Sequence, residues 1–232
     1  MNRVVLVTGS RKGLGLQLCK FFLAQGDFVY GCSRRKGSIE HNNYVHFSLD
    51  VSNEIDVVDM VRQIYKTHKR VDILINNAGA ASMNHFLLTP YSTAQKLMNT
   101  NFMGTFLLCR EVSKLMIKKN TGRIINFSTV AVPLNLQGEL VYSASKAAVA
   151  QLTKVLAAEI GVKGVTVNAI GPTPIATDLI KNVPENKINA LIDHQSVKRL
   201  GVFEDVLNVV KFFIDPKSDF ITGQIIYLGG IN

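Results

Sequence analysis

A tyrosine and a lysine lie four residues apart in the segment Tyr142-Ser-Ala-Ser-Lys146. The surrounding residues, 140–163, have a helical pattern, and this spacing places both side chains on one face of a helix. A free phenol has a pKa near ~10, and a neighbouring ammonium group stabilises the phenolate and lowers that pKa. Such a pair could give a proton to a substrate oxygen or take one from it. Because many helix surfaces also carry this pair, its meaning depends on the rest of the chain.

A glycine-rich turn lies at the start of the sequence. The apolar run from Val4 to Val7 is followed by Thr8-Gly-Ser-Arg-Lys-Gly-Leu-Gly15 and then by a helical pattern. Glycine permits the positive φ angles of a tight turn, and the N–H groups and dipole of a helix N-terminus attract phosphate. The alternative is an ordinary turn between a strand and a helix. We predict dinucleotide binding by Thr8, Gly9, Ser10, Arg11, Lys12, Gly13, Leu14 and Gly15.

The end of the second predicted strand indicates which dinucleotide binds. Many dinucleotide sites have an acidic residue here, which holds the ribose 2′-hydroxyl group. This chain has Ser33-Arg34-Arg35 instead, and a guanidinium group makes forked, charge-assisted hydrogen bonds to phosphate. We therefore predict NADP(H) rather than NAD(H), with Lys12 or Arg11 as a second positive charge. A solvated basic loop is the alternative.

Strand and helix patterns alternate along the chain, which predicts a parallel sheet with helices on both faces. Right-handed crossovers make such a sheet doubly wound. We predict an α/β fold: a Rossmann-type, doubly wound, seven-stranded parallel sheet in a single domain, residues 1–232. The predicted strands are 4–7, 27–33, 44–49, 71–76, 122–128, 165–170 and 224–228. The predicted helices start near 13 and cover 54–68, 90 or 91–119, 140–163 and 203–214, with a short one within 171–200.

The composition excludes several classes of protein. The 232 residues carry a net charge of +9, but we find no nucleic-acid recognition motif, and a phosphorylated cofactor or an acidic partner explains the charge equally well. The longest apolar runs are too short to span a membrane, and no signal peptide is recognisable, which favours a cytoplasmic protein. The histidines show no metal-ligand spacing, so we expect no metal site. Cys19, Cys32 and Cys109 lie in apolar stretches and are expected to be buried thiols.

Four motifs together identify a family. Thr8-Gly-x-x-x-Gly-x-Gly15, Asn76-Asn-Ala-Gly79, Asn101 and Tyr142-x-x-x-Lys146 occur in this order, and over nearly its whole length the chain resembles the short-chain dehydrogenase/reductase family. The resemblance implies that Tyr142 is the proton donor in carbonyl reduction. It implies that Lys146 lowers the pKa of Tyr142 and binds the nicotinamide ribose. Asn101 would hold the active-site helix and a water molecule of the proton relay.

The same resemblance implies further cofactor contacts. Asp50 and Val51 would line the adenine pocket, and Asn77, Ala78 and Gly79 would pass beside the cofactor. Pro172, Ile175 and Thr177 would complete the site, with Ile175 and Thr177 at the nicotinamide and its carboxamide.

One motif position departs from the family pattern. The substrate-orienting serine of the family usually lies thirteen residues before the tyrosine, where this chain has Thr129 preceded by Ser128. A threonine hydroxyl can donate the same hydrogen bond, although its methyl group stiffens χ1 and narrows the pocket. We assign the role to Thr129 and keep Ser128 as the alternative.

The substrate is expected from the subtype within the family. The chain is most similar to the reductases of 3-oxoacyl groups carried on acyl carrier protein, which implies conversion of a 3-oxoacyl thioester to the 3-hydroxyacyl product. Alternatives are another small carbonyl or alcohol, such as a sugar or a polysaccharide or secondary-metabolite intermediate, and a non-catalytic dinucleotide sensor. Residues 178–200 are expected to form a substrate lid with an apolar wall of Leu179, Ile180, Ile188, Leu191 and Ile192.

The expected partners follow from the same resemblance. An acyl carrier protein is acidic, and Lys118, Lys119 and Lys163 could form a patch on which it docks; the alternative is that these lysines only satisfy helix-end carbonyl groups. The C-terminal segment from Tyr227 resembles the part that packs across a tetramer interface in the family. A homotetramer, or a dimer, is therefore expected.

Overall fold

One parallel sheet organises the part of the chain that the computed structural model describes, residues 2–175 and 184–231. Its seven strands are β1 Val4–Thr8, β2 Phe28–Ser33, β3 Tyr44–Ser48, β4 Ile73–Asn76, β5 Gly122–Phe127, β6 Val165–Gly171 and β7 Ile225–Tyr227. They pair in the order β3-β2-β1-β4-β5-β6-β7, with every neighbouring pair parallel. The predicted doubly wound, seven-stranded sheet is confirmed.

Helices connect the strands and cover both faces of the sheet. They are α1 Gly13–Ala24, α2 Glu54–His68, α3 Tyr91–Met98, α4 Gly104–Lys119, α5 Ala131–Leu134, α6 Leu140–Ile160, α7 Glu185–His194 and α8 Phe203–Ile214. Alternate residues of β1 enter opposite cores. Val4 and Leu6 pack with α2 and α4, whereas Val5 and Val7 pack with α1 and α8. A strand buried on both faces is continuously apolar, as this one is.

A π-helical turn, Asn99–Met103, joins α3 to α4. It interrupts the long helix that was predicted over residues 90 or 91–119. A Cβ at Gly104 would lie 2.6 Å from Cγ2 of Val51, so glycine lets this helix pack closely against the loop after β3. Turns of this kind are frequent at functional sites.

Several element boundaries differ from the predictions. Strand β4 begins at Ile73 rather than residue 71, and just before it the Asp72 carboxylate accepts a hydrogen bond from the Val4 N–H. Helix α6 ends at Ile160, and residues 161–163 form a separate 3₁₀ turn. The short helix α5 was missed, since its four residues include Pro133 and have no measurable periodicity.

The three cysteines are buried thiols, as predicted. Burial raises the pKa of Cys19, Cys32 and Cys109 to about 12, so they are not nucleophiles at neutral pH. Among residues 2–175 and 184–231, no helix has both the length and the apolar character needed to cross a membrane.

Candidate active site

The glycine turn after β1 has the shape of a phosphate cradle. Gly9 and Gly13 adopt positive φ angles of 68° and 57°, and a Cβ at Gly15 would collide with the carbonyl oxygen of Gly9. In the described structure no side chain caps the N-terminus of α1, and its first turn has no acidic residue. The backbone N–H groups there remain available to an anion, so the turn fits the pyrophosphate of a dinucleotide.

The end of β4 is bonded to this turn. The side-chain amide of Asn77 donates to the carbonyl oxygen of Thr8 at 2.9 Å, and the Ala78 N–H donates to Thr8 Oγ1, also at 2.9 Å. A Cβ at Gly9 would lie 2.8 Å from Asn77 Nδ2. The predicted cofactor residues of β1 and β4 therefore form one continuous surface.

The basic turn after β2 lies next to the predicted adenine pocket. Arg34 and Arg35 are exposed, and Ser33 donates a hydrogen bond from Oγ to the Arg35 carbonyl oxygen at 2.7 Å. Asp50 accepts from Ser52 N at 2.9 Å and from Ser52 Oγ at 2.7 Å. Burial opposes ionisation of Asp50, but these hydrogen bonds and the charges of Arg34 and Lys96 outweigh it and lower the pKa. The electrostatic coupling places Arg34 near Asp50, a residue of the predicted adenine pocket.

Three predicted catalytic side chains meet at the carboxyl ends of β5 and β6. Thr129 and Tyr142 line the same cavity, and Lys146 is only 5% exposed. Ser128 instead directs its hydroxyl group to the Lys146 carbonyl oxygen, 3.4 Å away, and does not line the cavity. Of the two candidates for the substrate-orienting hydroxyl, Thr129 is therefore the one that faces the cavity.

Burial dominates the electrostatics of the Tyr142–Lys146 pair. It raises the pKa of Tyr142 to about 12, the Thr129 side chain lowers that pKa, and the charge of Glu139 raises it further. Burial also lowers the pKa of Lys146 to about 8. The Lys146 ammonium group donates to the Phe127 carbonyl oxygen at 2.8 Å. The acidification of Tyr142 by Lys146 stays a prediction.

Asn101 holds the helices and loops of the site together. Its side chain is fully buried, accepts from the Ala80 N–H at 2.8 Å, and donates to the Ala80 carbonyl oxygen at 2.9 Å. The same amide donates to Ser145 Oγ at 2.9 Å. A Cβ at Gly79 would lie 3.4 Å from Asn101 Oδ1 and 3.5 Å from Lys146 Nζ. Gly79 thus lies where the cofactor side meets the catalytic side.

The cavity itself has a volume of about 600 Å³. Predicted cofactor residues Leu14, Pro172 and Ile175 border it, so it is continuous with the cradle. Helix α7 forms one wall, including the predicted Ile188 and Leu191. Thr177 and residues 178–183 of the expected lid, including Leu179 and Ile180, lie outside the described residues.

Sequence reasoning missed two titratable wall residues of the cavity, Glu139 and His194. Glu139 lies three residues before Tyr142 at the N-terminus of α6, and that proximity was the available signal. Burial raises the pKa of Glu139, and the charge of Lys187 partly opposes this rise.

The steric fit of the cradle yields a prediction. Gly15→Ala should weaken NADPH binding roughly tenfold or more, about 1.4 kcal/mol, because the new Cβ displaces the Gly9 carbonyl group. The chain has no tryptophan, so the fluorescence of NADPH itself is followed on titration.

Gly161→Ala is the matched control, since a Cβ there meets no atom within 4 Å. It should bind NADPH as the wild type does. Unchanged affinity in Gly15→Ala would show that the cofactor does not occupy this turn.

Comparisons with known proteins agree with this geometry. The family model described as short chain dehydrogenase matches residues 3–188. The (2S)-[(R)-hydroxy(phenyl)methyl]succinyl-CoA dehydrogenase subunit BbsD of Thauera aromatica is 32% identical, with 99% of this chain and 96% of the relative covered. The 3-oxoacyl-[acyl-carrier-protein] reductase FabG of Buchnera aphidicola subsp. Schizaphis graminum shows the same identity and the same coverage of both chains, 32%, 99% and 96%.

A solved structure supports the assignment. The chain superimposes on ElxO with NADP bound with a TM-score of 0.89 and 30% identity, covering 98% of this chain and 97% of ElxO. The chain belongs to the short-chain dehydrogenase/reductase family of oxidoreductases, whose members use a nicotinamide dinucleotide.

Proposed function

We propose that this protein reduces a carbonyl group to an alcohol with NADPH. The proposal rests on the cavity that Thr129 and Tyr142 both line. The hydroxyl groups of Thr129 and Tyr142 face one space, which is continuous with the glycine cradle through Leu14. The cofactor, when bound, supplies a hydride to the carbonyl carbon. Side chains of this protein donate the proton and stabilise the developing charge.

Tyr142 is the proton donor in this proposal. A group that must give up a proton has to carry one at neutral pH, and burial, which raises the pKa of Tyr142, favours the protonated phenol. Proton transfer is easier when that pKa lies nearer to neutral, and the proposed role of Lys146 is to lower it. The Thr129 hydroxyl group donates to the substrate oxygen and stabilises the negative charge that develops there. The ammonium group of Lys146, held by the Phe127 carbonyl group, faces the ribose side of the cradle beside Gly79. Lys146 is buried and Tyr142 is half-buried, which limits the access of water.

The proposed substrate is a 3-oxoacyl thioester, which becomes a 3-hydroxyacyl thioester. Two observations support it: one relative is a 3-oxoacyl-[acyl-carrier-protein] reductase and another is named for a succinyl-CoA derivative. The apolar side chains of α7, Ile188 and Leu191, provide a wall against which an acyl chain could pack.

An acyl carrier protein remains the proposed source of the thioester. Lys119 ends α4 and Lys163 precedes β6, so both lie at the amino edge of the sheet, whereas the cavity lies at the carboxyl edge. The thioester must enter at the cavity, where Lys187 is exposed. We therefore favour docking near Lys187 over docking at Lys118, Lys119 and Lys163.

A homotetramer or dimer is also proposed. Phe86, Leu87, Leu88 and Tyr91 are 62%, 79%, 75% and 76% exposed, an apolar area of the kind that marks an interaction surface. At the C-terminal segment, Ile231 packs against Val130 and Leu191 of its own chain. Any contact of that segment with a second subunit would therefore lie close to the substrate cavity.

A second candidate substrate is a small polar carbonyl compound, such as a sugar or a related intermediate. Glu139 favours it, because no residue in the described part of the chain donates a hydrogen bond to its carboxylate, although the side chain lines the cavity. A partly desolvated carboxylate is stabilised by a ligand that brings a hydroxyl or ammonium donor. Both candidates require the same Tyr142 chemistry.

Replacing the phenol tests the reaction. Tyr142→Phe should lower the rate of NADPH oxidation with acetoacetyl thioesters or keto-sugars by roughly 10²–10⁴-fold, since only the proton donor is lost. NADPH affinity should change less than about twofold. The exposed Tyr65→Phe on α2 is the control. Turnover retained by Tyr142→Phe would contradict the mechanism, and a wild type inactive on the whole panel would favour the non-catalytic sensor.

Removing a guanidinium group tests the choice of cofactor. Arg34→Ala should raise the Kd of NADPH roughly tenfold to a hundredfold and leave that of NADH nearly unchanged, because charge-assisted hydrogen bonds to the 2′-phosphate are lost. Arg62→Ala, on the outer face of α2, is the matched control. Equal losses for both cofactors would remove Arg34 from the 2′-phosphate.

Neutralising the cavity carboxylate separates the two substrate candidates. If polar substrates are used, Glu139→Gln should lower kcat/KM about tenfold for a hydroxyl- or amino-bearing ketone, since a charged acceptor is lost. It should leave kcat/KM for an acetoacetyl thioester unchanged. Glu159→Gln, exposed on the same helix, is the control. An equal effect on both substrates would show that Glu139 does not select between them.

A further inference from the structure

We infer that His46 is a positioning residue that joins the two phosphate-binding segments of the cofactor site and thereby favours NADPH over NADH. This inference rests on the proposed use of NADPH. His46 lies on β3, outside the motifs that identify the family, and its ring bridges the turn after β1 and the turn after β2. The hydrogen bonds of the ring on both of its edges support this inference.

One edge of the imidazole ring holds the basic turn. His46 Nε2 lies 3.0 Å from Ser33 Oγ and 3.1 Å from the Arg35 carbonyl oxygen. Ser33 Oγ donates to that same carbonyl oxygen at 2.7 Å. The His46 ring, the Ser33 hydroxyl group and the Arg35 carbonyl group thus all contact one another around the backbone of Arg34. The direction of the Arg34 side chain depends on this backbone.

The opposite edge of the ring reaches the glycine cradle. His46 Nδ1 lies 2.9 Å from the Tyr44 hydroxyl group and 3.4 Å from Ser10 Oγ. Ser10 belongs to the glycine turn and is 1% exposed. The Tyr44 hydroxyl group also lies 3.3 Å from Ser10 Oγ. One hydrogen-bonded chain therefore runs from the proposed pyrophosphate site to the proposed 2′-phosphate site.

Two glycines make space for this network. A Cβ at Gly31 would collide with the Tyr44 hydroxyl group and with Ser10 Oγ, and a Cβ at Gly37 would lie 2.6 Å from His46 Nδ1. Neither glycine has a positive φ angle, so the backbone itself does not require glycine there. The requirement is steric, which indicates that the sequence is fitted to the network.

The network can accept a second proton on the ring. In the neutral form, Nε2–H donates to the Arg35 carbonyl group while Nδ1 accepts from Tyr44. After protonation, Nδ1–H can donate to the Tyr44 oxygen, and the phenol can turn its own hydrogen toward Ser10. Tyr44 is the titratable side chain that contacts the ring, and it is coupled electrostatically to the buried thiols of Cys19 and Cys32. The basic residues Arg34, Arg35 and Lys36 belong to the turn that the ring holds. Burial lowers the pKa of His46, and its hydrogen bond to the Arg35 carbonyl group opposes this.

A phosphate dianion on the basic turn would favour the protonated ring. By linkage, binding of NADPH should then draw a proton onto His46, and binding of NADH should do so less. A purely structural histidine would not distinguish the two cofactors in this way. Proton uptake is therefore a readout that separates positioning for the 2′-phosphate from simple packing.

The test measures cofactor binding, not turnover. Calorimetric titrations with NADPH and with NADH, in two buffers of different ionisation enthalpy near pH 6.5, give Kd and proton uptake for the wild type, His46→Leu and His46→Gln. We expect His46→Leu to raise the Kd of NADPH about tenfold and that of NADH less than twofold, and to abolish the extra proton uptake. His46→Gln, which keeps a donor and an acceptor, should restore most of the affinity without the proton uptake.

A control variant and an alternative variant separate the role of His46 from a general loss of structure. His41→Leu should change neither Kd, because the exposed ring of His41, in the loop before β3, accepts from the Asn43 N–H and lies outside the His46 network. If His46→Leu does not fold, Tyr44→Phe removes one link of the network and should shift the NADPH-to-NADH ratio in the same direction. An unchanged ratio in a folded variant overturns the role of His46 alone. A wild type that binds both cofactors equally overturns the proposed use of NADPH and this inference together.

Discussion

The close approach of two backbone segments at the carboxyl edge of the sheet determines the whole site. The turn after β1 contacts the end of β4 so closely that neither Gly9 nor Gly15 can carry a side chain. Asn77 and Thr8 fix this contact with two hydrogen bonds of 2.9 Å. The uncapped N-terminus of α1 is thereby aimed at the same space as Gly79, which borders Asn101 and Lys146. This single packing constraint brings the predicted phosphate-binding residues and the predicted catalytic residues to one surface.

Burial then shifts the pKa values of the catalytic side chains on that surface. Tyr142 and Lys146 are both desolvated, and desolvation raises the pKa of the phenol while it lowers the pKa of the amine. A phenol that keeps its proton is suited to protonate an oxygen during reduction.

Much of this could be predicted from the sequence, because its signals are local. Apolar runs and periodicity identified every strand and the bounds of α2. The order and spacing of the motifs predicted Asn101 as a site residue, and its amide is bonded to Ser145, next to Lys146. The effect of the Lys146 ammonium group on Tyr142 could not be predicted, since it depends on which hydrogen-bond acceptor that ammonium group contacts. The choice between Ser128 and Thr129 depended on which hydroxyl group faces the cavity. Glu139 and His46 gain their meaning only from contacts between distant segments.

A crystal structure with NADPH bound tests the central claim most directly. The account predicts the pyrophosphate on the N–H groups at the start of α1 and the 2′-phosphate beside Arg34. It also predicts that the reactive carbon of the nicotinamide faces the cavity, with room for one carbonyl group between it and the hydroxyl groups of Tyr142 and Thr129. A nicotinamide ring that points away from Tyr142, or a cofactor bound outside the glycine turn, would contradict it.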